Sequence, residues 1–185
     1  MRRLRTGGLT VIVVAVASLI SAASASAAQI VVNSTADPTG ATDECTLRQA
    51  IESANTDTVP VDSDCVQGGG TDTITFALPS APPNTIHLAD LVDDPDQLVV
   101  SSDLDIQGPG VHDVIVDAST GGGRSRVFHV TGTGVDATIS GLTATGGHLN
   151  LPGPGFPQGQ GGAGVIVDSG AALTLDDAAV AGNST

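Results

Sequence analysis

The sequence predicts an all-β solenoid fronted by one short α-helix, and three observations carry that expectation. Past Thr71, short apolar segments bounded by Gly, Pro, Asp or Asn recur roughly every ten residues, too closely for crossover helices between them. A self-similar pattern returns in the second half at offsets of 36 and 37 residues. The chain has 3 Phe and neither Trp nor Tyr, too little aromatic volume for a broad core, whereas stacked Val, Ile, Leu, Ala and Thr can fill a narrow one.

The elements follow in chain order. Arg2, Arg3 and Arg5 precede an apolar run from Leu9 to Ile20, and Ala25-Ser26-Ala27 suits a signal peptidase. Residues 1–28 therefore read as a secretory signal peptide, cut after Ala27 or Ala28. The run is short of the ~20 residues a membrane span needs, and nothing later is apolar enough, so no membrane insertion is expected after cleavage. No cysteine near the cut points to a lipid anchor. All 20 acidic residues follow the leader, whereas Arg48, Arg124 and Arg126 are the only basic residues left, a formal charge of −17 with no lysine. Such a surface repels nucleic acid and anionic membranes, leaving calcium, extracellular glycan or protein as compatible partners. Solubility of an exported chain is the simplest use of that charge.

Residues 29–72 read as an N-terminal cap containing a helix over 46–55. Leu47, Ala50, Ile51 and Ala54 fall on one helical face. Thr46 and Gln49 fit a capping box, in which hydroxyl and amide satisfy each other's backbone N–H groups. Asn55 can close the helix because Asn tolerates the left-handed backbone. Arg48 can pair with Glu52 one turn on, worth ~0.3–0.5 kcal/mol, or donate to backbone carbonyls at the cap. An exported chain with two cysteines should join them, so Cys45 and Cys65 are expected as a disulfide contributing ~3 kcal/mol through loop closure.

Residues 73–185 supply the strands: Thr73–Phe76, Thr85–Leu88, Leu98–Ile106, Val114–Val116, Val127–Val130, Thr138–Ala144, Val165–Val167 and Leu173–Leu175. In Asp103-Leu104-Asp105-Ile106 apolar and acidic residues alternate, as on a half-buried strand. The repeat maps Val130 onto Val167 and Ile139 onto Leu175. Extra length between the copies, Gly146 to Gly164 with Pro152, Pro154 and Pro157, reads as a protruding loop. A solenoid's first coil exposes unpaired backbone and an apolar end, and the helix stands in sequence where it would cover them. The chain stops at Ala181-Gly182-Asn183-Ser184-Thr185 in a turn, so the coils are expected to be incomplete at the C-terminus.

Cys45-Thr46-Leu47-Arg48-Gln49-Ala50, followed by Ile51 and Ala54-Asn55, resembles the CSLREA motif of exported bacterial right-handed parallel β-helix proteins. It departs by Thr for Ser and Gln for Glu, and both substitutions keep the capping box. Asp72-Thr73-Ile74-Thr75-Phe76, Leu104-Asp105-Ile106-Gln107-Gly108, Ile139-Ser140-Gly141-Leu142 and Ala181-Gly182-Asn183-Ser184 are similar to that family too. The resemblance implies a pectate-lyase-like fold in a secreted or surface protein and no settled chemistry.

Catalytic patterns are sparse. A calcium-dependent lyase needs clustered carboxylates and a base; Asp103, Asp105, Asp113 and Asp117, with Arg124 and Arg126, are the candidates, and Asp103 with Asp105 is the pair placed to converge on a cation. Solvated outward carboxylates of an amphipathic strand are the simpler reading. Asp176-Asp177 points to opposite faces of a strand, which does not suit paired glycosidase acids. His87, His112, His129 and His148 occur singly. No catalytic site and no cofactor is identified. The expectation is a secreted or cell-surface scaffold, adhesin-like, binding glycan or protein through its flank or the Gly146–Gly164 loop. The alternative is a calcium-dependent polysaccharide lyase or glycoside hydrolase.

Overall fold

Alternation of buried aliphatic and outward polar residues gives the described residues thirteen short strands, paired almost entirely in parallel, and one helix. The structure is a computed structural model and describes residues 26–37, 43–89, 96–120, 124–149 and 161–185. The basic and apolar parts of the proposed leader, and residues 150–160 of the proposed loop, lie outside the described residues. In order, the elements are β1 (Gln29–Val32), α1 (Leu47–Thr56), β2 (Asp72–Phe76), β3 (Asn84–His87), β4 (Asp96–Val100), β5 (Leu104–Gln107) and β6 (Val114–Asp117). They continue with β7 (Arg124–Val130), β8 (Asp136–Ser140), β9 (Thr143–Thr145), β10 (His148–Leu149), β11 (Val165–Val167), β12 (Ala172–Asp176) and β13 (Ala179–Val180).

These strands form three sheets. The first runs β1-β2-β5-β8-β12, the second β3-β6-β9-β13, and in the third β7 lies between β4 and β11. Successive strands from β2 to β9 therefore visit the three sheets in rotation, and every pairing is parallel except that of β10 with the start of β7.

Register stacks the core in ladders. Ile30, Ile74, Ile106, Ile139 and Leu175 are paired in succession across the first sheet. Ile86, Val116, Ala144 and Val180 do the same in the second. Val100, Val130 and Val167 do so in the third. The pairs Val130–Val167 and Ile139–Leu175 are those that the sequence repeat aligns. Ladder residues up to β9 are buried, whereas Val167, Leu175 and Val180 on the last strands are 39–46% exposed.

Two long segments of the sequence reading divide. Leu98–Ile106 is β4 and β5 with a turn at Ser101–Asp103, and Thr138–Ala144 is β8 and β9 broken at Gly141. Gly141 adopts φ +59°, and a Cβ there would fall 2.1 Å from the Gly108 carbonyl oxygen, so stacked turns approach backbone to backbone. Within the proposed loop, His148–Leu149 forms the short β10, because its backbone finds a partner in β7.

The helix spans Leu47–Thr56, one residue past its expected end, and Asp57 rather than Asn55 takes the left-handed closing position at φ 53°. The Thr46–Gln49 capping box is present. Leu47, Ala50, Ile51 and Ala54 are buried as one stripe, and α1 packs on β1, β2 and β4. Two buried polar residues on the same helix hold the returning loop: Gln49 Nε2 donates to Asp62 O at 3.1 Å, and Ser53 Oγ to Val66 O at 2.7 Å. The Cys45–Cys65 disulfide closes that loop. Formation of this bond fits an oxidising compartment. Among the described residues no helix is long and apolar enough to cross a membrane.

Candidate functional site

A polar network lies on the third sheet and reaches the cap. Its members come from strands distant in sequence that parallel pairing sets side by side: Gln97 on β4, Arg126 and His129 on β7, Thr131 just after β7 and Asp168 just after β11. Arg126 Nη1 donates to Gln97 Oε1 at 2.8 Å, and Arg126 Nε donates to Gly162 O at 2.8 Å. With its amide oxygen taken, Gln97 has only Nε2 to offer His129 Nδ1, 3.3 Å away. That assigns Nδ1 as the acceptor and leaves the neutral ring's proton on Nε2. His129 Nε2 is buried and lies 3.0 Å from Asp168 Oδ2, too poorly aimed at it for a well-formed hydrogen bond. Thr131 Oγ1 donates to the same carboxylate oxygen at 2.7 Å.

Electrostatics follow from these contacts. The Thr131 hydroxyl first, then His129, holds the Asp168 carboxyl below its ordinary range. Burial pushes Arg126 below the usual guanidinium range, against the opposing pull of Asp168. Nδ1 of His129 faces Gln97 and Nε2 is buried beside Asp168, so neither nitrogen is open to a substrate proton. The face presents a fixed polar row, flanked on neighbouring strands by partly exposed Val99 and Ile166.

The same row joins the helix. Arg48 Nη1 donates to Gln97 O at 2.9 Å, while Arg48 Nε and Nη2 grip both oxygens of Asp37 at 2.6 and 2.8 Å. Glu52 is therefore not its partner, because Asp37 and the edge of β4 lie within reach and complete the guanidinium's fork geometry. Asp37 Oδ2 also accepts from Ala89 N at 2.9 Å. Asn55 donates to Val99 O at 2.7 Å and accepts from Ser101 N at 2.8 Å. Helix side chains thus satisfy the edge of β4 that no strand covers among the described residues.

The four candidate cation ligands divide between two sheets. Asp103, in the turn before β5, accepts from Asp136 N at 2.9 Å, and Asp105 on β5 of the first sheet accepts from Gln107 Nε2, whereas Asp113 and Asp117 belong to the β6 region of the second. Among the described residues no group of three or more His, Cys, Asp or Glu side chains could hold a metal ion. Asp176 ends β12 and Asp177 turns away at φ 44°. Of the other histidines, His87 lies 3.2 Å from Asp117 and His148 2.7 Å from the Ser184 hydroxyl. Nothing in the local sequence singles out the His129–Asp168 pairing, although the offset that joins Val130 to Val167 also sets Thr131 beside Asp168. Comparison of the chain with protein-family models, with curated proteins and with solved structures finds no match.

Proposed function

We propose that this chain is an exported scaffold, a right-handed parallel β-helix whose first coil is sealed by α1 and whose flank binds extracellular glycan or protein. The observation that carries the reading is the rotation of consecutive strands through three parallel sheets, with each aliphatic position stacked on its equivalent in the next round. A solenoid grows an elongated flank from local contacts, which suits presentation of a binding surface more than enclosure of a substrate. The resemblance of Cys45–Asn55 to the CSLREA segment and the formed disulfide support export. The polar row of Gln97, Arg126, His129, Thr131 and Asp168 supports a binding role: its side chains are held beside one another by hydrogen bonds through Gln97 and Thr131.

Binding of the exported protein to a glycan array or to extracellular matrix proteins, without turnover, is the expected outcome. Incubation with acidic polysaccharides, with and without calcium, provides the opposing test. Release of unsaturated oligosaccharides would replace the scaffold with a calcium-dependent lyase.

A further inference from the structure

Asp72 is the buried ionisable group that the fold and the polar row leave without a role. It opens β2 and is 0% exposed. Its carboxylate accepts three backbone contacts: Ala28 N at 2.7 Å, and Gly69 N at 2.9 and 3.0 Å on its two oxygens. Among the described residues no ion pair joins it. Taking a carboxylate out of water costs several kcal/mol, and a charged partner is the usual compensation. The nearest of its donors is the nitrogen of Ala28, at the point where the leader is read to end.

We infer that the chain is cut between Ala27 and Ala28 and that the freed Ala28 α-ammonium becomes the buried counter-ion of Asp72. The inference rests on the export reading and goes beyond it by choosing the bond and giving the new terminus a seat. Hydrolysis adds the hydroxyl of water to the Ala27 carbonyl carbon. Ala28 nitrogen then leaves as an amine and takes up a proton as ammonium.

The sequence permits two cuts, since small residues precede both Ala28 and Gln29. The structure distinguishes them. Ser26 and Ala27 are exposed, whereas Ala28 is partly buried against the core. Ala28 O accepts from Thr73 N at 2.8 Å, extending the β1–β2 ladder by one bond. A cut before Ala28 keeps that bond and turns a neutral N–H contact into a charge-assisted one. A cut after Ala28 removes both the acceptor of Thr73 N and the shortest donor to Asp72. Fixing the terminus also fixes β1, the outermost strand of the first sheet.

The test uses the full chain exported from a bacterial host with its own leader. Intact mass should give Ala28 as the first residue. The processed chain has no lysine, so the α-amine is its only amine and an acylating reagent reports on that atom alone. Only the unprotonated amine reacts, so an ammonium whose pKa is raised by one unit reacts about tenfold more slowly. Native protein should therefore be acylated about tenfold more slowly than protein in urea. Asp72→Asn should remove most of that difference, and the native-versus-urea comparison stands if the variant does not fold. A first residue of Gln29 overturns the inference while leaving export intact. An Ala28 terminus acylated equally fast in both states overturns the ion pair. An unprocessed chain overturns the export reading as well.

Discussion

Asn55 donates from Nδ2 to Val99 O and accepts at Oδ1 from Ser101 N, the pairing a neighbouring strand would otherwise offer β4. Arg48, seven residues earlier on the helix, serves Gln97 O two residues earlier on the strand. Asn55→Ala leaves a carbonyl and an N–H without their partners, and chemical denaturation should show a loss of about 1–2 kcal/mol. An unchanged midpoint would mean that water satisfies the edge equally well. The polar row makes a residue-scale claim of its own. Asp168 is depressed chiefly by the Thr131 hydroxyl, so Thr131→Val should raise its pKa toward the ordinary carboxylate value in a side-chain NMR titration. The sign for stability follows from linkage: a depressed carboxylate stabilises the fold above its unfolded pKa, and this contribution disappears as pH falls through the folded value. Wild-type protein should therefore lose more stability on acidification than Thr131→Val. An Asp168 titration unmoved by the substitution would remove the hydroxyl as the cause.

At the scale of elements, α1 is the piece most legible in the sequence. Its apolar stripe and capping box are local patterns, spaced three and four residues apart, and the structure repeats both. Its partners were not legible, because Asp37, Gln97 and Val99 reach it through the tertiary fold rather than through spacing. Alternating residues make the strands legible, whereas their breaks at Ser101–Asp103 and Gly141 are not, because β-compatible residues continue through the turns. β1 was not recognised as a strand, since Ile30-Val31-Val32 directly follows the leader and pairs only with the distant β2. β13 is too short to show a period. The Cys45–Cys65 bond ties the start of α1 to its returning loop across 20 residues. Removing it with Cys45→Ala and Cys65→Ala should cost about 3 kcal/mol in denaturant unfolding, mostly through a freer unfolded chain. A loss much below 1 kcal/mol would show that Gln49 and Ser53 hold the loop without it.

Across the whole molecule, order accumulates by repetition: Ile74, Ile106 and Ile139 follow one another in one ladder at 32 and 33 residues, and Leu175 follows after 36. The earlier rounds keep the ladder position but not the residues around it, so the sequence shows its repeat plainly only between the last two rounds. Burial along that ladder ends abruptly, from Ile139 at 1% exposure to Leu175 at 46%. Ile139→Ala should therefore cost about 2–5 kcal/mol, whereas Leu175→Ala should cost about 1 kcal/mol or less, by calorimetry or denaturant unfolding. Equal losses would mean that Leu175 is covered in solution. The coil-on-coil register is the claim on which the cap, the flank and the binding proposal all depend. Cysteine cross-linking measures it directly, because a disulfide needs Cα atoms within about 7 Å, a reach that a two-residue slip along a parallel pair exceeds. Thr138 lies opposite Thr174, and Ala172 lies two residues out of register with it. Under mild oxidation, Thr138→Cys with Thr174→Cys should cross-link readily and Thr138→Cys with Ala172→Cys should not; preferential cross-linking of the second pair would contradict the stacked-coil account.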